Sequence, residues 1–537
     1  MTIKAWRVVL ILSAAQFILV LDTTVMNVSI SNVVADLDTS VESVQLAITA
    51  YMLVMASTML LGGKLGDVWG RRRAFRIGLV VFAIGSGLTA VTPGIGLLLI
   101  GWSLIEGLGA ALMVPALVAL IASNYEGQSR ATAYGIIGAV AAAGAAAGPL
   151  IGGAVTTAWS WRVVFAGEVV IAALVLFASS QIKDAAREKA GKLDWVGASL
   201  SIAGLFLIVF GVLQSGSWGW VLPRTPPSIG GTEITPLGLS PVPFVVLAGF
   251  GVLLAFARWS ERRERGGEEP LLQIALLRIE QLRGGSLMIF AQQVILLGTF
   301  FAVPLYLQVV LGKDAFETGV KLLPLSIVML VTAILAPKLS SRFSPRAIVR
   351  AGLFALLVAV LGLVGSVDYT LNSAVFAVSL GVMGFGAGLM VSQIGNVIMS
   401  AVDRSQTSEA GGIQGTFQYL GGALGTALVG AVLLGGLTGA FNKSVVENPQ
   451  ISPPTQERIA TATEQGISFV PTAEVEAQLS AAGASPGETA AIASSYDDSQ
   501  IDALKIALLS VAAFVVGSFW FTRSLPGEPM VGRTAPA

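Results

Sequence analysis

The sequence predicts an all-α integral membrane protein, with fourteen transmembrane helices forming two six-helix bundles and two further helices inserted between them. Three observations carry this. Hydrophobic residues make up 54% of the 537 and charged residues 12%, with a mean hydropathy of +0.79, whereas soluble chains carry about 25% charged residues. About 20 apolar residues cross a bilayer, and fourteen runs of that kind occur. The chain also repeats a loop pattern: "GGKLGDVWGRRRAF" (62–75) and "APKLSSRFSPRAIV" (336–349) both place Lys-Leu ahead of an aromatic (Trp69, Phe343) and an arginine (Arg72, Arg346). A weak internal repeat of this sort marks two related bundles.

In order, the predicted spans are 8–30, 44–64, 75–93, 96–122, 131–154, 162–181, 195–216, 242–258, 284–310, 319–337, 347–367, 373–398, 408–438 and 503–522. Residues 1–193 form the first bundle, 194–283 the inserted pair with a linker, and 284–537 the second bundle. The N-terminal run resembles a signal peptide at first, but it continues past Asp22 without a clean cleavage site. It is therefore read as the first span. Most of the 32 Lys and Arg fall on one side: Lys4, Arg7, Lys64 to Arg76, Arg130, 183–192, 258–283, 338–350, Arg404, Arg523 and Arg533. The 33–43 connection on the other side carries Asp36, Asp38 and Glu42 with no base. By the positive-inside rule both N and C termini are cytoplasmic. The polar loop 439–502 then lies outside, either as two short helices or as a flexible solvated segment.

Absences narrow the chemistry. With no cysteine there are no disulfides, thiolate metal sites or thiol switches. With no histidine, proton handling near neutral pH falls to carboxylates. Zero net charge gives no electrostatic case for nucleic acid. No G-x-x-x-x-G-K-[ST] motif occurs, so no P-loop nucleotide site is expected. The expected energy source is the proton gradient, with no cofactor and no metal.

Two glycine-rich motifs stand out. In "GGKLGDVWGRRR", Gly66 and Gly70 permit a tight turn, while Asp67 can accept hydrogen bonds from a helix N-terminus or pair with Arg71 or Arg72 and so act in gating. The alternative is a basic loop that only sets topology. In "GAAAGPLIGG" (144–153), Gly144, Gly148 and Gly152 recur every fourth residue as a smooth packing face, and Pro149 breaks a backbone hydrogen bond and offers a pivot. Static packing without gating is the alternative.

Three acids fall inside predicted spans. At 1.5 Å per residue, Asp22 lies roughly 21 Å, Glu106 roughly 15 Å and Glu168 roughly 21 Å from the cytoplasmic edge, all in one slab of the first bundle. A carboxylate there costs several kcal/mol. Desolvation and like charges both favour the protonated form of a carboxyl. Such a group can exchange a proton for a cationic substrate; the plainer reading is a helix-to-helix hydrogen bond made while protonated.

Together these stretches resemble the major facilitator superfamily, and within it the fourteen-helix drug:proton antiporter branch. The loop motif at 62–73 is similar to that family's cytoplasmic signature. "LDTTVMNVSIS" (21–31), "GAAAGPLIGG", "WRVVF" (161–165), "PLYLQVVLG" (304–312) and "TGVKLLP" (318–324) are similar to others of the branch. The resemblance implies export by alternating access driven by proton entry, with the fifth helix contacting the opposite bundle. The chain departs from the pattern in "SLIEGLG" (103–109): Ser103 stands where the branch usually has arginine and Glu106 where it has glutamine, while Glu168 replaces an asparagine. The bundle thus loses a buried positive charge and gains two carboxyls. That argues against an anionic substrate and puts proton relay on acids.

The expected activity is export of lipophilic, cationic or neutral compounds, without enzymatic chemistry, in the inner membrane of a bacterium. Asp22, Glu106 and Glu168 would bind proton and substrate. Trp102, Gln292, Gln293 and Gln418 would line the cavity. The expected partners are the lipid bilayer, a small-molecule substrate and protons, and the expected state is a monomer. A dedicated exporter of an endogenous lipid, peptide or secondary metabolite is the alternative. A receptor or intramembrane aspartyl protease fits less well, because a protease needs two facing aspartates within helices.

Overall fold

The computed structural model describes residues 3–125, 127–183, 193–229, 232–402, 406–463 and 466–529. The basic stretch 184–192, Arg404 and Arg533, which entered the orientation argument, lie outside these residues. Helix α1 is Ile3–Val28, α2 Val41–Trp69 and α3 Arg71–Ala90. α4 runs from Ile95–Leu98 through a π-helical stretch, Leu99–Glu106, into Gly107–Asn124. α5, Gly127–Ala158, and α6, Trp161–Ala178, complete the first bundle. The inserted pair is α7, Trp195–Trp218, and α8, Val242–Arg265. The second bundle holds α9 (Glu280–Leu305), α10 (Ala315–Leu335), α11 (Pro345–Ser366), α12 (Ser373–Met399), α13 (Thr407–Glu447) and α14 (Pro486–Ser518).

Thirteen helices among the described residues are long and apolar enough to cross a membrane, and α5, bent by 41° between Gly135–Ala145 and Ala147–Ala158, makes a fourteenth. Helix is the physical consequence of lipid, where each backbone polar group must be satisfied within its own segment. A two-residue antiparallel ladder, Ser228–Ile229 with Thr232–Glu233, decorates the connection between α7 and α8.

The α2–α3 loop explains its own glycine. Gly70 has φ +95° and joins the end of α2 directly to the start of α3. A Cβ in the left-handed region costs roughly 1–2 kcal/mol. Gly70→Ala is expected to lower the thermal midpoint of the purified protein, while the neighbouring exposed Arg73→Ala leaves it unchanged.

The segment 439–502 is helical for most of its length. α13 continues to Glu447, short helices cover Pro453–Ala462 and Thr472–Ala481, and α14 begins at Pro486, seventeen residues ahead of the predicted span. Phe469 is fully buried, Phe441 meets Tyr496 edge-on at 5.7 Å, and the Tyr496 hydroxyl donates to the Ser468 carbonyl at 2.7 Å. These apolar anchors, spaced too far apart to read as a span, fold the segment into a cap.

The bundles meet along two seams, α5 against α10 and α2 against α13; α7 rests on α13 and α2, and α8 packs chiefly on α7. α8 leaves Leu247, Phe250 and Leu254 exposed, as a lipid-facing helix does. At the face away from the termini, polar groups tie the bundles together. Gln308 donates to the Val28 carbonyl at 2.8 Å and accepts from the Ser31 amide at 3.2 Å. Gln45 donates to the Thr426 carbonyl at 3.1 Å, and the Phe316 amide donates to Thr157 Oγ1 at 3.1 Å.

Candidate functional site

The polar run after Asp22 donates to its own helix. Thr23 and Thr24 hydroxyls donate to the Val20 carbonyl, Thr24 also to Leu21, and Asn27 Nδ2 to Thr23 at 2.8 Å. Asp22 is different, because it has no such recourse on its own helix. Its Oδ1 accepts from Trp102 Nε1 of α4 at 2.7 Å. The Trp102 ring is held parallel to Tyr51 of α2, with centroids 4.9 Å apart.

Glu106 and Glu168 come to the same place. Oxygens of Asp22, Glu106 and Glu168 all lie within 4.8 Å of one another, and all three side chains are buried. Glu168 accepts from Ser86 Oγ of α3 at 3.1 Å, and that hydroxyl also reaches the Phe165 carbonyl. Among the described residues neither oxygen of Glu106 has a hydrogen-bond donor, nor do Asp22 Oδ2 and Glu168 Oε1.

Two backbone features build this convergence. Trp102 and Glu106, four residues apart, share one face of α4, and the π-helical stretch sets how that face is turned relative to the rest of the helix. Gly85 lets α3 approach α4, since a Cβ there would sit 2.6 Å from that of Glu106. Ser103, in place of a buried arginine, donates to the Ala47 carbonyl at 2.7 Å and so pins α4 to α2.

Charge decides what the cluster can hold. Two unit charges about 5 Å apart at an effective dielectric of 20 repel by about 3 kcal/mol. Three ionised carboxylates without a cation would pay this for every pair, on top of desolvation. The arrangement therefore suits a site that holds protons or a positive ligand. Trp102→Phe keeps the stack on Tyr51 and removes the donor to Asp22. A hydrogen bond to a charged group contributes about 1.5–3 kcal/mol, so transport should weaken by roughly tenfold or more with expression unchanged, read as initial transport rate.

Other residues from the sequence reading fall elsewhere. Asp67 pairs with Arg71 at 3.7 Å within the same loop, and Arg71 also reaches the Ala119 carbonyl of α4. Gly66 packs near Ala74, and Arg72 follows Arg71 at the start of α3. The loop's tie toward the linker comes instead from Lys64, which meets Glu269 at 2.6 Å, a pair whose acid sits 205 residues away. Gln292 donates to the Ala387 carbonyl and joins α9 to α12, while Gln293 lies beside Gly421 of α13 and Gln418 is half-buried.

The fifth helix contacts the opposite bundle as expected, but not through its glycine stripe. Gly144, Gly148 and Gly152 face Val20, Thr24 and Val25 of α1, within their own bundle. The contact with the opposite bundle is made by the other face of α5. There Gly153 abuts the backbone of Ala315, and Gly319 of α10 abuts the backbone of Pro149. Pro149 has no amide to give Ala145, and Ser326 Oγ of α10 donates to that freed carbonyl at 3.5 Å. The bend and the seam are thus one feature.

Known proteins resemble the chain in sequence and in fold. The chain is 29% identical over 469 residues to a tetracenomycin C resistance and export protein of Streptomyces glaucescens, covering 86% of this chain and 82% of that one. It is 32% identical over 443 residues to a puromycin resistance protein of Streptomyces alboniger, covering 80% and 82%. Among solved structures, a bacterial homologue of the human lysosomal transporter Spinster, inward-facing and occupied, matches with TM-score 0.59 and 14% identity over 97% of each chain. That likeness is one of fold. The family model of the Major Facilitator Superfamily matches residues 12–426. With two bundles, a helical pair between them and this match over most of its length, the chain belongs to the major facilitator superfamily, as a multi-pass membrane transporter of small molecules.

Proposed function

We propose that the protein is a proton-driven exporter of lipophilic, cationic or neutral compounds, working by alternating access as a monomer in the bacterial inner membrane, with both termini in the cytoplasm. The observation that carries this reading is the convergence of Asp22, Glu106 and Glu168, buried and, among the described residues, in no ion pair. Deprotonated, the cluster attracts a cation; protonated, it releases one. A proton entering down its gradient thereby drives substrate the other way. The ties at Gln308, Gln45 and Thr157 break when the outer face opens, and the Asp67–Arg71 loop serves the cytoplasmic gate. The two relatives' names, resistance and export, support the direction of transport.

A narrower substrate range, one secondary metabolite of the producing cell, is favoured by the name of the tetracenomycin relative. Everted membrane vesicles test the main reading, with puromycin and tetraphenylphosphonium as probes. Accumulation should collapse when the pH gradient is dissipated. Accumulation that persisted, or that followed a sodium gradient instead, would overturn the proton as coupling ion. Comparing metabolite profiles of cells with and without the gene separates the broad from the narrow substrate range.

A further inference from the structure

A cleft of about 630 Å³ opens at the face away from the termini, remote from the acid cluster. That volume lies in the range of sites for drug-sized ligands. Its walls come from three parts of the protein: the start of α2 in the first bundle, the end of α7 with the loop after it, and α13 with the cap in the second bundle. The lining is more polar than apolar in character and carries two opposite charges, Glu42 and Arg224. They form no ion pair with each other. Glu42 Oε2 is shielded from solvent without a hydrogen-bond donor. The Arg224 guanidinium has no acceptor among the described residues. It lies against α13 where Gly435 has no side chain, and a Cβ there would stand 2.9 Å from Nη1. Gln45, whose amide ties α2 to the Thr426 carbonyl across the bundle seam, forms part of the same wall.

We propose that this cleft binds a drug-sized zwitterion from the outer face, its cationic end on Glu42 and its anionic end on Arg224, and that occupancy holds the bundles closed there. Two unpaired charges of opposite sign in one polar cleft select a ligand carrying both. A ligand touching α2, the α7 loop and α13 adds to the Gln45–Thr426 tie. It favours the state in which that tie is made, because a ligand shifts an equilibrium toward the state it binds better. The inference is independent of the coupling ion.

The purified full-length protein is titrated by calorimetry with tetra-alanine, its N-acetyl form, its C-terminal amide, and the doubly blocked form. Tetra-alanine should bind about tenfold or more tightly than either singly blocked form, the effect of one charge-assisted hydrogen bond. Glu42→Gln should erase the difference between tetra-alanine and its N-acetyl form. Arg224→Gln should erase the difference between tetra-alanine and the amide. Because the chain has no cysteine, Thr318→Cys, fully buried and next to Gly319 of the α5–α10 seam, reports opening by maleimide labelling, and tetra-alanine should slow it. Unliganded labelling at the parental rate shows that each charge variant is folded. Equal binding of all four peptides, no binding, or unchanged discrimination in both variants overturns the site; unchanged labelling on binding overturns the closure.

Discussion

Replacing Glu106 with glutamine is expected to abolish uphill export while leaving energy-independent exchange in place. Among the described residues both Glu106 oxygens lack a donor, and one of them lies within 4.8 Å of an oxygen of Asp22 and of Glu168. The amide keeps the shape, cannot take up a proton, and can donate to either neighbouring carboxylate. It also removes a charge whose repulsion is worth about 3 kcal/mol per ionised neighbour at an effective dielectric of 20. The variant should therefore melt higher than the parent and yet fail to concentrate substrate. A tenfold substrate gradient stores about 1.4 kcal/mol, and without proton exchange nothing supplies it. In proteoliposomes the imposed pH gradient should give no accumulation, whereas counterflow between preloaded and external substrate should persist. Loss of both activities with a lower melting point would mean that Glu106 only holds helices together. Full accumulation by the variant would remove Glu106 from the coupling step.

Gly153→Ala should push the seam between α5 and α10 apart. A Cβ at Gly153 would lie 2.8 Å from the Ala315 carbonyl carbon and 3.0 Å from Phe316 Cα. These are backbone atoms and cannot rotate away. Overpacking typically costs about 1–3 kcal/mol. Two other bonds cross the same seam, from the Phe316 amide to Thr157 and from Ser326 to the Ala145 carbonyl. If the added methyl strains only the closed state, the population shifts by roughly 5–150-fold toward the open one. Maleimide labelling of Thr318→Cys should then accelerate by about that factor. Gly148→Ala provides the contrast: its Cβ would collide with Thr24 of α1, inside one bundle. It should lower stability without changing the labelling rate. If Gly148→Ala accelerated labelling and Gly153→Ala did not, the stripe facing α1 would be the moving contact.

Much of the fold was legible because lipid makes it so. A run of about 20 apolar residues has few alternatives to a helix, and each predicted run coincides with one. The three acids were legible for the same reason, since a charge stands out in such a run. Their convergence was not. Depth follows from counting residues, but the direction in which a side chain points depends on helix register. The π-helical stretch at Leu99–Glu106 alters that register in the segment carrying Trp102 and Glu106. Trp102 is expected among the cavity lining, but that its indole donates to Asp22 is visible only in the fold. The stripe Gly144, Gly148, Gly152 announced close packing but not against which helix, because periodicity defines a face and not its neighbour. Lys64 and Glu269 are joined only by the tertiary fold. The cap escaped because Phe469 and Tyr496 lie in a composition that is otherwise polar.

The π-helical stretch has a consequence for how α4 tolerates deletion. It stores one surplus residue in a helix whose apolar lettering would read equally well without it. Leu104, in the middle of the stretch, faces outward and is 47% exposed. Removing it would let the stretch close into an ordinary α-helix, with the two ends of α4 turned little against each other. The helix would still insert, still count as a span and still pack. Trp102 and Glu106 would then stand three residues apart instead of four, still on one face of the helix. The deletion therefore changes the spacing within the acid cluster without changing the number of spans.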